Sequence, residues 1–494
     1  MHKKKTNQDQ GQAGTYLLLH RFTIVLLMGY TAAIVLFYFL AGEQLHLRDS
    51  RGNLELLPAE SGTVELVAGS VVEQQFSAEI QRLEQIDVQW GTYYRQNTGT
   101  VIVELVDLRD DQILMSQSYD AATILEGGLT TLTVEEPIEG LCYVPLSIRI
   151  TSLDGIAGSA VSPMMNLSGT AEQTLENGLL LINGNSVEGT LCFSARGTDY
   201  IWTGLHYWKF AAAGFALLVG SVLWIGLRVM HGKRSYIVNA LIAMQKYRFL
   251  IRQLVSRDFK TKYKRSILGV FWSFLNPLLT MLVQYFVFSS IFKSDVANFA
   301  AYLIIGTVMF NFFSEASGMA LTSIVGNAAL ITKVYMPKYI YPLTRVISSL
   351  VNLTISLIPM LIVCIFTGVE FHRSVVLSLF FLGCLAVFSL GLGLLLSAAM
   401  VFFRDTQFLW GVFSMMWMYA TPIFYPESIL PEKLKIILQI NPLYYFLKNV
   451  RICILSGISP EPAVYVHCAL MALSTLLVGA FIFRKSQDRF VLYL

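Results

Sequence analysis

The chain has 494 residues, of which 54% are apolar, 13% aromatic and only 14% charged. That composition excludes the string of soluble globular domains that the length alone would suggest, and it indicates a polytopic membrane protein. The net charge of +3 hides a division, since residues 42–204 hold 23 Asp and Glu against 7 Arg and no Lys, a net of −16, while the remainder is strongly basic.

After a polar, lysine-bearing start, Phe22–Leu40 is an uninterrupted apolar run, long enough to cross a bilayer core of about 30 Å. It exceeds the apolar region of a cleaved signal peptide, about 7 to 15 residues, and AGEQ at 41–44 is a poor cleavage site, so a retained anchor is expected. From 59 to 203 the character changes. The alternating runs TVIVELVDL (100–108), LTTLTVEE (129–136), VPLSIRIT (144–151) and TLCFSA (190–195) are separated by turn-prone NTG, EGG, LDG and NGN. This is the pattern of an antiparallel β-sandwich, with one short helical piece expected near Ile80–Ile86. Lysine is absent between Lys5 and Lys209, which suits a domain outside the cytoplasm. An oxidising compartment would permit a disulfide between Cys142 and Cys192, although spacing does not establish their proximity. Cys364, Cys384, Cys453 and Cys468 lie in or beside apolar stretches and read as small buried hydrophobes; no cysteine pair has metal-binding spacing.

A second span, Tyr207–Leu227, ends at Arg228, Lys233 and Arg234. Between Lys246 and Arg265 there are eight Lys and Arg against the single acid Asp258, while Tyr247, Leu250, Ile251, Leu254 and Val255 recur at helical-stripe spacing. Such a helix is expected to lie along the inner headgroup layer, its stripe in the acyl boundary and its cations toward anionic lipid or an acidic partner. Ordinary positive-inside flanking is the plainer alternative. Six further spans are expected at Ile267–Phe292, Phe299–Ile324, Val346–Thr367, Val375–Val401, Phe408–Phe424 and Val464–Phe483. Eight crossings place both termini in the cytoplasm. Between Tyr425 and Ser459 the chain is too polar to span, and Ile429–Ile440 and Leu443–Cys453 read as two short helices broken at Asn441-Pro442.

No enzyme motif stands out. Around Gly232-Lys233, Leu227 occupies the place of the first Walker A glycine and Arg234 that of its Ser or Thr; the histidines form no HExxH pair, and GxSxG is absent.

Arg257, Asp258, Lys260, Tyr263, Leu268, Gly269, Trp272, Asn276 and Pro277 open a series continued by YLIIGTVMFNFF (302–313), LITKVYMPKYIYPL (330–343), FFRD (402–405), TPIFYP (421–426) and NPLYYFLKNVR (441–451). In this order they resemble the type-2 permease subunits of ABC exporters for polysaccharides and polyol phosphates, such as teichoic acids, O-antigens and capsules. The resemblance covers roughly residues 240 to 494. It implies an interface helix ahead of a six-helix half-channel, re-entrant outer helices near 427–453, and a homodimer in the lipids of a bacterial cytoplasmic membrane. It also implies a lipid-linked polysaccharide cargo and a separate ABC ATPase subunit that holds ATP and Mg, this chain carrying no cofactor or metal and binding no nucleic acid. Residues of the interface helix and of the 326–341 loop would rest on that ATPase: Arg252, Arg257, Asp258, Lys260, Lys333, Tyr335, Pro337 and Lys338.

Other candidates keep two readings each. Glu315, an isolated carboxylate near Asn311 in an apolar span, either lines a water-filled path or is satisfied within the bundle by Asn311 or a serine. Phe310, Phe313, Trp417 and Tyr419 either stack on sugar in a channel or face lipid. Arg404 and Asp405 form a gate or a helix-end anchor. Trp90, Tyr93, Tyr94 and Arg95 are a glycan-stacking edge or core of the sandwich, whose runs in their order and composition resemble jelly-roll, carbohydrate-binding-module-like sandwiches. A membrane-embedded glycosyl- or acyltransferase, a sensor or scaffold with a ligand-binding sandwich, and an exporter of lipid or drug remain as rival readings.

Overall fold

The computed structural model describes residues 2–50, 54–167, 178–231, 236–263, 269, 271–291, 298–333 and 336–493. Two compact units divide the chain: His46–Leu205, and Met1–Leu45 together with His206–Leu494.

The first unit is a β-sandwich. Its thirteen described strands are β1 Leu47–Ser50, β2 Ser61–Gly62, β3 Val71–Ser77, β4 Arg82–Gly91, β5 Thr100–Asp107, β6 Gln112–Asp120, β7 Leu129–Glu139, β8 Pro145–Ser152, β9 Ser162–Asn166, β10 Leu180–Ile182, β11 Asn185–Val187, β12 Thr190–Leu191 and β13 Phe193–Tyr200. One antiparallel sheet runs β1-β13-β4-β9-β12, with β2 beside β9 and β7 beside β4; the other runs β11-β10-β3-β8-β5-β6. Alternation decides which side chains face inward. In β3 Val72, Gln74 and Phe76 are buried, and in β5 Val101, Val103 and Leu105, meeting Leu146, Ile148 and Ile150 of β8 in one core. The helical piece expected near Ile80–Ile86 is instead the start of β4.

The second unit is helical. Its principal helices are α1 His2–Ala41, α2 Tyr207–Met230, α3 Tyr236–Lys246, α4 Arg248–Tyr263, α5 Phe271–Ile291, α6 Phe299–Leu321, α7 Ile340–Phe366, α8 Ser378–Phe402, α9 Thr406–Ala420, α10 Glu432–Ile440, α11 Pro442–Arg451 and α12 Pro462–Ser486. Among the described residues seven helical segments, not eight, are long and apolar enough to cross a membrane. The difference is α9: its 15 residues rise only about 22 Å, because Pro422 ends the helix and 421–426 run on without helical structure. Helix α6 lies at the centre, packed against α5, α7, α8 and α11, while α12 lies along α8. Gly391 and Gly479 allow that last approach: a Cβ on Gly479 would fall on the Gly391 carbonyl.

The apolar stripe that runs from Tyr247 into α4 is partly covered by the protein itself. Leu254 is buried, and Tyr247, Leu250 and Ile251 pack on a cluster that includes Ile324, Met336, Ile340, Tyr341 and Phe490. Apolar surface is removed from water equally well by protein or by lipid, so periodicity alone could not distinguish them.

Candidate functional site

Positions four apart share one face of a helix, and on α4 these are Asp258 and Lys262. The Asp258 carboxylate is buried against α7, where Arg345 Nη1 lies 2.8 Å from Oδ1 and the Ser348 hydroxyl donates to Oδ2 at 3.3 Å. Lys262 Nζ reaches Glu315 of α6 at 2.8 Å, and the same Glu315 oxygen accepts from Asn352 Nδ2 of α7 at 2.6 Å. Arg345, Ser348 and Asn352 fall on one face of α7, at i, i+3 and i+7. An acid and a base on α4 therefore meet a base on α7 and an acid on α6. They surround a cavity of about 610 Å³, also lined by Arg257, Thr261, Met319 and Asn327. Arg257 donates to Asn327 Oδ1 at 3.3 Å and lies 3.4 Å from Asp258.

This arrangement sorts the coupling candidates by direction. Arg252, Lys260 and Lys333 are exposed, whereas Asp258 points into the protein. Lys338 turns to its own C-terminal segment, donating to the Gln487 carbonyl at 2.6 Å with its ammonium 5.7 Å from the centre of the Phe490 ring. Pro337 is half-buried. Tyr335 lies outside the described residues. Glu315 is satisfied by Lys262 and Asn352, not by Asn311 or a serine, while it also lines the cavity. Arg345 and Asn352 escaped the sequence reading as site residues, although their polar stripe with Ser348 in an apolar helix was a usable signal.

Of the four aromatic candidates Phe313 is core, Phe310 and Trp417 are half-buried against it, and Tyr419 is exposed. Phe313 has no exposed surface; its ring centre is 5.3 Å from Trp417, 6.0 Å from Phe388 and 6.1 Å from Trp410, which ties α6 to α8 and α9. Trp417 Nε1 donates to Asn441 Oδ1 at 2.7 Å. Asn441 in turn caps α11, accepting from Leu443 N at 3.1 Å, and donates to Thr421 Oγ1 at 2.8 Å. Arg404 and Asp405 are exposed between α8 and α9, and among the described residues no ion pair joins them.

Arg451, which sequence reasoning passed over, closes α11. Buried, it donates through Nη1 to the Pro422 carbonyl at 2.6 Å and through Nη2 to the carbonyls of Tyr302 and Ile423, each at 2.9 Å. Its guanidinium lies over the Tyr302 ring, 3.3 Å from the centroid. Backbone carbonyls at 422 and 423 that no helix satisfies thus find a donor.

In the sandwich, Trp90 is fully buried and donates Nε1 to Thr130 Oγ1 at 2.6 Å, so it belongs to the core. Tyr93 and Tyr94 are exposed, and Arg95 lies 4.8 Å from the centre of the Tyr93 ring. Cys142 and Cys192 are free thiols. Cys142 lies beyond the Glu139 that pairs with Arg82, whereas the Cys192 carbonyl accepts from Gln89 N. They sit toward opposite ends of β4, about 20 Å apart along the strand, far beyond disulfide reach.

Residues 250–455 match the family of the ABC-2 type transporter. The chain is 28% identical over 249 residues to an O-antigen export system permease protein, RfbA, of Myxococcus xanthus, covering 50% of this chain and 96% of that one. It is 29% identical over 247 residues to RfbA of Klebsiella pneumoniae, covering 49% and 93%. A capsule polysaccharide export inner-membrane protein, CtrC, of Neisseria meningitidis serogroup B is 28% identical over 191 residues, covering 38% and 72%. With the apolar helices and these similarities together, residues 250–455 of this multi-pass membrane protein are an ABC-2 transporter permease domain.

Proposed function

We propose that the protein exports a lipid-linked cell-envelope polysaccharide across the bacterial cytoplasmic membrane as a homodimer, driven by Mg-dependent hydrolysis of ATP in separate nucleotide-binding subunits. The observation that carries this reading is the match to O-antigen export permeases over nearly their whole length, 96% and 93%. The geometry supports it. Helix α4 offers Arg252 and Lys260 to the outside and grips α6 and α7 on the inside, so a push on its exposed face moves the spanning helices and is not absorbed by a loose loop. The basic ends lie in the cytoplasm with both termini, and residues 42–204 lie outside. Helix α9 with the non-helical 421–426 makes the remaining passage. The sandwich receives the emerging glycan.

The test is the ATPase activity that copurifies with the protein from its own membrane after mild extraction. Wild type is expected to bring an ATPase with it, and Arg252→Glu with Lys260→Glu to lose it while keeping the elution volume of the folded protein. Lys338→Glu, whose native partner is the chain's own Gln487 carbonyl, is expected to retain the ATPase. Wild-type protein that carries no nucleotide-binding subunit overturns the reading.

A further inference from the structure

The turn after β4 contains two consecutive tyrosines in the left-handed region, Tyr93 at φ 56° and Tyr94 at φ 54°. Side chains with a Cβ adopt that region at a cost, and turns that need two such residues ordinarily use Asn and Gly. The turn is nevertheless held firmly. One oxygen of Glu126 accepts from Thr92 N at 2.6 Å, Thr92 Oγ1 at 2.7 Å and Tyr94 N at 3.3 Å. The Arg95 guanidinium stacks on Tyr93 and is fixed by Glu65 at 2.7 Å, Asn97 Oδ1 at 3.1 Å and the Ala160 carbonyl at 3.2 Å. What this framework presents is Tyr93, 47% exposed, and Tyr94, 90% exposed, more than any other aromatic among the described residues.

In this strained, pinned turn Tyr93 is held by Arg95 with about half of its surface still open, and Tyr94 packs little against its own domain, so the strain has its reason outside the domain. We propose that Tyr93 and Tyr94 form a preorganised stacking platform for an uncharged glycan, an inference that rests on the polysaccharide-export reading. Rigid tyrosines give large contact area at little entropic cost, and their faces suit the C–H faces of sugar rings. Charge narrows the class. With 23 acids against 7 Arg in residues 42–204, the surroundings repel a polyanionic chain and leave a neutral one unaffected.

The experiment uses the full-length protein in nanodiscs, probed with neutral mannan, galactan, glucan and rhamnan oligosaccharides and with polysialic acid. At least one neutral chain is expected to bind and polysialic acid not to bind. Tyr94→Trp keeps that binding. Tyr93→Gly with Tyr94→Gly weakens it at least tenfold, yet unfolds at an unchanged or higher temperature because glycine relieves the left-handed backbone. A purely structural role would lower that temperature and leave binding intact. Binding that survives the double glycine variant, binding of polysialic acid equal to that of the neutral chains, or no neutral binding by protein that copurifies its ATPase overturns the platform. Loss of the ATPase itself counts against the exporter reading instead.

Discussion

At the residue scale the ion pairs of α4, Asp258 with Arg345 and Lys262 with Glu315, make the sharpest claim. Removing Arg345 by Arg345→Ala leaves the buried Asp258 carboxylate short of its main partner, and a broken buried pair costs about 3 kcal/mol. Asp258→Arg combined with Arg345→Asp is expected to recover most of that loss in thermal unfolding, as independent effects would not. Arg451→Lys gives up the fork that serves three carbonyls, and we expect a loss of about 3 kcal/mol from the orphaned acceptors. Acid should loosen the sandwich. The Gly158 N–H and the Arg95 guanidinium hold the Glu65 carboxyl below its ordinary 4.5. The Thr92 hydroxyl and N–H do the same for Glu126. The unfolded chain therefore takes up these protons first, so their stabilisation is complete above the ordinary carboxylate range and fades as the pH falls below about 4.5. Glu65→Gln should flatten that slope in unfolding followed against pH. Burial also pushes the Cys192 thiol up to about 11; mass spectrometry of the oxidised protein should find it still unjoined to Cys142.

At the element scale, the strands of the sandwich were legible wherever alternation was regular, as in β5 and β8. At β4 it was not. A bulge between Leu83 and Gln85 turns Leu83 and Ile86 to the same side, and that spacing of three imitates a helix. The length of α9 was overread for another reason: Thr421 to Phe424 continues the apolar run, but Pro422 cannot continue the helix. The two short helices around Asn441-Pro442 were readable because an Asn followed by Pro is a helix start in its own right. Which aromatics face a neighbour was not readable, since Phe313 and Tyr419 look alike in sequence and differ completely in burial. Helix contact makes one further prediction. Gly479→Ala drives a methyl into the Gly391 carbonyl and should destabilise the helical unit by roughly 2 kcal/mol in thermal unfolding.

At the scale of the whole molecule, composition and the charge division already separated a membrane-spanning part from an acidic β part. The family followed from several short motifs in order, and not from any single residue. The partners of Asp258 and Glu315 were invisible because they come from helices about 30 to 90 positions away, and no local pattern reports such a meeting. The opposite polarity of those two bonds has a mechanical consequence. Slip α4 by four residues along its axis, about 6 Å, and Lys262 arrives opposite Arg345; slip it the other way and Asp258 arrives opposite Glu315. Like meets like in both directions, so the helix has one axial register at which it can lie down without repulsion, and a force along it is carried as displacement of its neighbours.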